Sequence, residues 1–195
     1  MPEIPAAGAK SAYDKLLNAA RVLFYSHGIN GTGIDAIVKR AGVAKKSLYN
    51  NFASKDELIA TYLTVRHQEW LDLYQQRAQK AVTPRDGVVA VFQAYGDHAE
   101  FAYEHGFRGC GLLNAAAELE AGAPGREAVR RHKEEVEAIL AGHLMQIATD
   151  PARATNLARH FAFLLEGSIS RAGLEGKSDC IAQACRMAEE LMEAL

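Results

Sequence analysis

Three places in the chain carry the same local instruction, to begin a helix. Thr83-Pro84 and Asp150-Pro151 each set a capping side chain before a proline at the first helical position, where the missing N–H costs nothing. Ser11 and Asp14 have the spacing of a capping box. Leu16, Leu17, Ala20, Leu23 and Phe24 follow as one apolar stripe of helical period, closed by Gly28. Ser54 and Ser178 are further caps, and glycine-rich breaks at 105–111, 121–125 and 173–176 separate the longer helices. No run alternates β-branched and polar residues as a strand does. The expectation is an all-α chain of about nine helices, the first three short and basic, the later ones longer and acidic on balance.

Composition removes several classes of protein. With 49% hydrophobic and 24% charged residues, the 195-residue chain is neither disordered nor collagen-like. No stretch approaches the ~20 apolar residues of a membrane span. The opening MPEIPAAGAK has neither the basic nor the long apolar region of a secretory signal. Three cysteines, Cys110, Cys180 and Cys185, are too few for a disulfide framework. A soluble, reduced, cytoplasmic protein without membrane attachment is expected. H-E-x-x-H, C-x-x-C, G-x-S-x-G, a Walker-type loop and a dinucleotide fingerprint are all missing from the sequence. No enzyme activity, catalytic residue, metal set or cofactor is therefore expected.

The net charge of −2 hides an asymmetry. Residues 1–60 hold eight basic and five acidic side chains, and residues 36–55 hold five basic and no acidic one. Such a run suits a polyanion partner at one end of the chain, or simply a solvated face; charge alone does not separate the two.

The segment 32–58, TGIDAIVKRAGVAKKSLYNNFASKDEL, is the informative one. Ile34, Ile37, Val38 and Ala41 make the apolar side of a two-turn helix. Gly42 stands where two helices meet steeply, a position that favours positive φ and excludes a side chain. Val43, Leu48 and Phe52 point inward from the turn and the next helix. Lys45, Lys46, Ser47, Tyr49 and Asn50 are left on the outer face, and these are the cations, hydroxyls and amide that bind phosphates and base edges in a major groove. A helix-turn-helix fits this pattern. An ordinary helical corner with solvated lysines is the alternative.

That run, with the preceding helix and its Phe24-x-x-His27-Gly28 ending, resembles the DNA-binding region of TetR-type transcriptional regulators over roughly residues 12–60. Its core is A-G-V followed by L-Y-x-x-F-x-x-K-x-x-L. The resemblance implies an N-terminal three-helix DNA-binding domain over 1–56 and a larger helical effector-binding and dimerisation domain over 57–195. It also implies a homodimer on double-stranded operator DNA, released in most members when a small-molecule effector binds. Carried over by position, Lys45, Lys46 and Ser47 open the recognition helix beside Asn50, while Tyr49, Thr32 and Lys55 contact phosphates. This chain departs at Ala44, where a Ser or Thr cap is common, at Lys46 in place of glycine, and at Asn51 in place of an aromatic residue or His. Farther on, GCGLLNAAAEL and LLEGSISRA resemble a subset of C-terminal regulatory domains.

Two expectations concern the C-terminal part. Leu157, Ala158, Phe161, Ala162, Leu164, Leu165, Ile169 and Ala172 surround a helix over Asp150–Arg171, and a second stripe runs along Ser178–Leu195. A helix apolar beyond one stripe is buried on two sides, so both are assigned to a homodimer interface that includes Phe161 and Leu165, with burial inside one chain as the alternative. An effector cavity is assigned to Trp70, Tyr74, Phe92, Tyr95, Tyr103, Phe107 and Phe163, with His98, Cys110, Asn114 and His143 as polar groups. The bland reading of that cluster is a well-packed core. The competing functions are a helical ligand-binding or protein-docking module without DNA, and a thiol-based redox sensor at Cys110.

Overall fold

Every strong start signal of the sequence is used. The computed structural model describes residues 11–101, 103–193 and 195. Among these residues there is no strand, and nine helices follow in order: α1 (Ala12–His27), α2 (Ile34–Ala41), α3 (Lys45–Asn51), α4 (Lys55–Ala78), α5 (Pro84–Ala99), α6 (Gly111–Ala117), α7 (Pro124–Leu144), α8 (Pro151–Glu175) and α9 (Asp179–Glu193). The chain divides into two compact units, Met1–Tyr62 and Leu63–Leu195, with the division inside α4.

In the first unit, the Asp14 N–H donates to the Ser11 hydroxyl at 3.1 Å and the Ser11 N–H donates back to the Asp14 carboxylate. Two otherwise orphaned donors are thereby satisfied. Gly42 closes α2 with φ +65° and donates its N–H to the Lys39 and Val38 carbonyls. A Cβ there would meet nothing within 4 Å, so the sequence-based exclusion of a side chain is corrected: backbone conformation, not space, demands glycine. Leu16, Ile29, Ile37, Leu48 and Leu58 are fully buried, each contributing roughly 1.5–3 kcal/mol. Phe52, at the end of α3, stacks on Tyr13 with ring centroids 4.9 Å apart. This core fixes which side of α3 points outward.

In the second unit, Thr83 and Asp86 form another capping box, with Pro84 between them as the first residue of α5, and Asp150 caps α8 by accepting the Ala152 N–H. Helix α7 packs on α5 and α8, and α9 packs on α5 and α8. Phe161 meets Phe92 edge-on at 6.1 Å. Two expectations are corrected here. Phe161 and Leu165 are buried within their own chain, because the inner stripe of α8 is occupied by α7, α9 and α5. They are core residues and not an interface. The glycine break at 173–176 is also shorter than read, since α8 runs through Gly173 to Glu175 and only Gly176 turns it, at φ +72°. Gly173 is a contact glycine: a Cβ there would lie 2.5 Å from the Gly109 nitrogen.

Candidate functional site

Helix α3 is seven residues long and lacks a side-chain cap at Ala44, so its position rests on packing. Leu48 and Phe52 anchor it inward. Lys45, Lys46, Tyr49 and Asn50 are exposed as one face, with Ser47 half-buried beside them. The Asn51 amide donates to the Ser47 carbonyl at 2.7 Å, which removes Asn51 from that face. Lys55 opens α4 half-buried, behind Ser54, whose hydroxyl accepts the Glu57 N–H. Thr32 is placed differently. It is buried, and its hydroxyl donates to the Gly28 carbonyl at 2.7 Å, with the Leu23 carbonyl at 3.2 Å.

One group on this surface escaped the sequence reading. The Lys45 ammonium lies 2.8 Å from the Asp35 carboxylate of α2, and hydrogen bonding to that carboxylate raises the Lys45 pKa above its ordinary value. Asp35 stands one residue before the acid-free run begins. Only the fold brings its side chain across to the start of α3.

The residues assigned to an effector cavity fall into separate groups. Trp70 lies parallel to Tyr74 at 5.6 Å and contacts Tyr95 at 5.4 Å, and the Tyr74 hydroxyl pairs with His143 Nε2 at 2.8 Å. Burial raises the Tyr74 pKa and lowers that of His143. The Trp70 indole N–H is buried without a hydrogen-bond acceptor. Tyr103 donates its hydroxyl to the His98 carbonyl, accepts from Arg66, and lies 5.8 Å from Phe107. Asn114 donates to the Arg108 carbonyl and so braces the loop before α6. Phe92 packs against Phe161. Phe163 does not join any of these groups. It is 68% exposed on the outer side of α8, because Phe161 and Leu165 occupy the inner side.

Two polar clusters of this unit were missed. Lys133 pairs with Glu166 at 2.8 Å and lies 3.3 Å from the Tyr95 hydroxyl and 3.7 Å from Cys110 Sγ. Burial opposes its charge, but Cys110, Tyr95 and Glu166 outweigh burial and raise its pKa. His67 and His132 share a hydrogen bond, and they line a cleft of about 200 Å³ with Leu63, Thr64, Leu112, Ala128, Arg131 and Glu135. The available signal was register. Lys133 falls on the stripe of Val129, Val136 and Leu140, and Arg66 on that of Ile59, Tyr62, Leu63 and Trp70. Among the described residues no group of three or more His, Cys, Asp or Glu is placed to hold a metal ion, and no helix is long and apolar enough to cross a membrane.

Residues 16–62 match the profile of bacterial regulatory proteins of the tetR family. The HTH-type transcriptional regulator LmrA of Bacillus subtilis is 28% identical over 159 residues, covering 80% of this chain and 83% of that one. QacR, an HTH-type transcriptional regulator of Staphylococcus aureus, is 32% identical over 73 residues, 37% of this chain and 39% of its own length. A crystal structure of a TetR-family transcriptional regulator from Streptomyces coelicolor superposes with a TM-score of 0.86 at 26% identity, over 94% of this chain and 95% of that one.

Proposed function

The chain is a TetR-type transcriptional regulator, and from that premise we propose that it is a cytoplasmic, non-enzymatic homodimeric repressor whose α3 reads an inverted-repeat operator. The observation that carries this is the two-sidedness of α3, with Leu48 and Phe52 buried beneath it and Lys45, Lys46, Tyr49 and Asn50 exposed above. Lys46 and Lys45 address guanine O6/N7, Ser47 and Asn50 address thymine or adenine edges, and Tyr49 and Lys55 contact phosphates. Residues 1–56 form the DNA-binding part and 57–195 the effector-binding and dimerisation part. The buried Thr32 hydroxyl holds the loop between α1 and α2, and in this reading it braces the phosphate-contacting surface from within. The test is a mobility-shift titration with DNA upstream of the chain's own gene; retardation that excess random duplex abolishes would defeat the reading.

The dimer interface is assigned to the outer sides of α8 and α9. Phe163, Leu174, Met187 and Leu191 are exposed there, and a groove between the two helices runs past Phe163, Gly167, Ala184 and Met187. Two such faces related by a two-fold axis make a self-complementary interface.

The effector is assigned to the aromatic region around Trp70, Tyr74, Tyr95 and His143, with His98, Tyr103, Phe107 and Cys110 nearby in sequence. The buried Trp70 N–H without an acceptor supports an apolar ligand that carries a carbonyl or hydroxyl oxygen. Such a ligand lowers DNA affinity by its differential affinity for the DNA-competent state, typically 1–3 kcal/mol, and operator must weaken the ligand by the same factor. Equal ligand affinities in calorimetric titrations with and without operator would remove the compound as an effector.

A further inference from the structure

We propose that Asp35 is a specificity-determining residue of the DNA-binding surface: its carboxylate holds the Lys45 ammonium away from phosphates and leaves it for a base edge. The inference rests on the reading of α3 as the recognition helix. Asp35 sits in the first turn of α2 and Lys45 is the first residue of α3, and the two meet at 2.8 Å with both side chains largely exposed. In sequence, the run 36–55 that follows Asp35 contributes Lys39, Arg40, Lys45, Lys46 and Lys55 and no acid.

An ammonium has three N–H donors and no acceptor. One of them goes to Asp35, which leaves two for the O6 and N7 acceptors of a guanine, a pairing compatible with Asp35 staying in place. A phosphate competes with Asp35 for the same charge and is repelled by the carboxylate. Lys45 with Asp35 closed on it therefore releases little counterion from a random duplex, whereas Lys46, exposed one position further along α3, serves as the ordinary comparison. Because an exposed ion pair is held weakly, the expected effects are a few-fold. They concern the ratio of operator to non-operator affinity more than operator affinity itself. Asp35 acts here through Lys45 and is a positioning residue.

The experiment uses the full-length dimer, a duplex selected from a random-sequence pool by the wild-type protein, and a scrambled duplex of the same composition. Salt-dependent affinities are measured for wild type, Asp35→Asn, Asp35→Glu, Lys45→Ala and the double variant Asp35→Asn/Lys45→Ala. Thermal melting confirms that each is folded. Asp35→Asn is expected to bind the scrambled duplex about three- to tenfold more tightly, to steepen its salt dependence by about one unit of slope, and to reduce the selected-to-scrambled ratio. Asp35→Glu, which restores the carboxylate, is expected to keep the ratio near wild type. On the Lys45→Ala background the gain from Asp35→Asn should shrink to less than half, because the charge that Asp35 restrains is gone. An equal gain on both backgrounds would make Asp35 a mere background charge and overturn the inference while leaving α3 as the reading helix. A wild-type protein that selects no sequence overturns both.

Discussion

His67 and His132 face one another through their Nδ1 atoms at 2.9 Å, a pair in which one nitrogen carries the hydrogen and the other accepts it. His67 Nε2 lies 3.5 Å from the Glu135 carboxylate, and His132 is packed edge-on against Trp70. Burial first, then the charges of Lys133 and His67, lowers the His132 pKa to about 3. The unfolded chain takes up this proton near pH 6.5, so between pH 6.5 and 3 it binds more protons than the folded chain does. Stability is fully present above that window and falls as the pH drops through it, on the order of 1 kcal/mol per pH unit. Urea midpoints at pH 7.5, 6 and 5 should decline in that order, and His132→Gln should flatten the trend. A midpoint that rises on acidification would contradict this placement of His132.

Gly173 and Gly109 give a second stability prediction. Alanine is the better helix former by about 1 kcal/mol in a helix interior. A Cβ at Gly173, however, would lie 2.5–2.8 Å from the backbone of Gly109 and Arg108. Gly173→Ala should therefore destabilise by about 1–3 kcal/mol, the usual cost of overpacking. Gly142→Ala, where a Cβ meets nothing within 4 Å, should be neutral or slightly stabilising. Chemical denaturation of the two variants side by side decides this, and equal effects would show that the loop before α6 yields freely.

The two sides of α8 separate folding from assembly. Phe163→Glu with Met187→Glu changes only exposed side chains, so the expected product is a folded monomer on analytical ultracentrifugation. Phe161→Glu with Leu165→Glu places two charges in a closed core and should unfold the second unit instead. A Phe163/Met187 variant that stays dimeric would move the interface away from α8 and α9.

The sequence was most legible where the signal is local. The capping box of Ser11 and Asp14 located the start of α1, the cap-proline pairs those of α5 and α8, and apolar stripes marked α2 and α3, because each signal depends on neighbours within one or two turns. The outer face of α3 was legible for the same reason, as the remainder once Leu48 and Phe52 turn inward. Contacts across elements were not. Periodicity marks Phe161 and Leu165 as buried but does not say against which chain. It places Lys133 and Arg66 on apolar stripes without naming Glu166 or Tyr103 as the partners that make their burial tolerable. Asp35 and Lys45 are ten positions apart, and only the crossing of α2 and α3 makes them a pair. Residue type alone groups Phe163 with the interior aromatics, whereas its register sets it outside.

Phosphate and base contacts should be distinguishable by substitution. Tyr49→Phe and Lys55→Ala are expected to weaken selected and scrambled duplexes about equally, and Lys55→Ala should flatten the salt dependence by about one unit of slope. A change confined to one sequence would reassign Tyr49 or Lys55 to base readout.

The most direct measurement is selection from a random duplex pool by the wild-type dimer, repeated with Lys46→Ala. The expected result is an enriched inverted repeat, bound by two protomers, with half-site centres one helical turn or a multiple of it apart. Lys46→Ala should relax the preference at one symmetric pair of positions, with roughly tenfold less discrimination there. A pool without any enriched sequence, or the same repeat recovered unchanged with Lys46→Ala, would contradict the assignment of α3 as the helix that reads the operator.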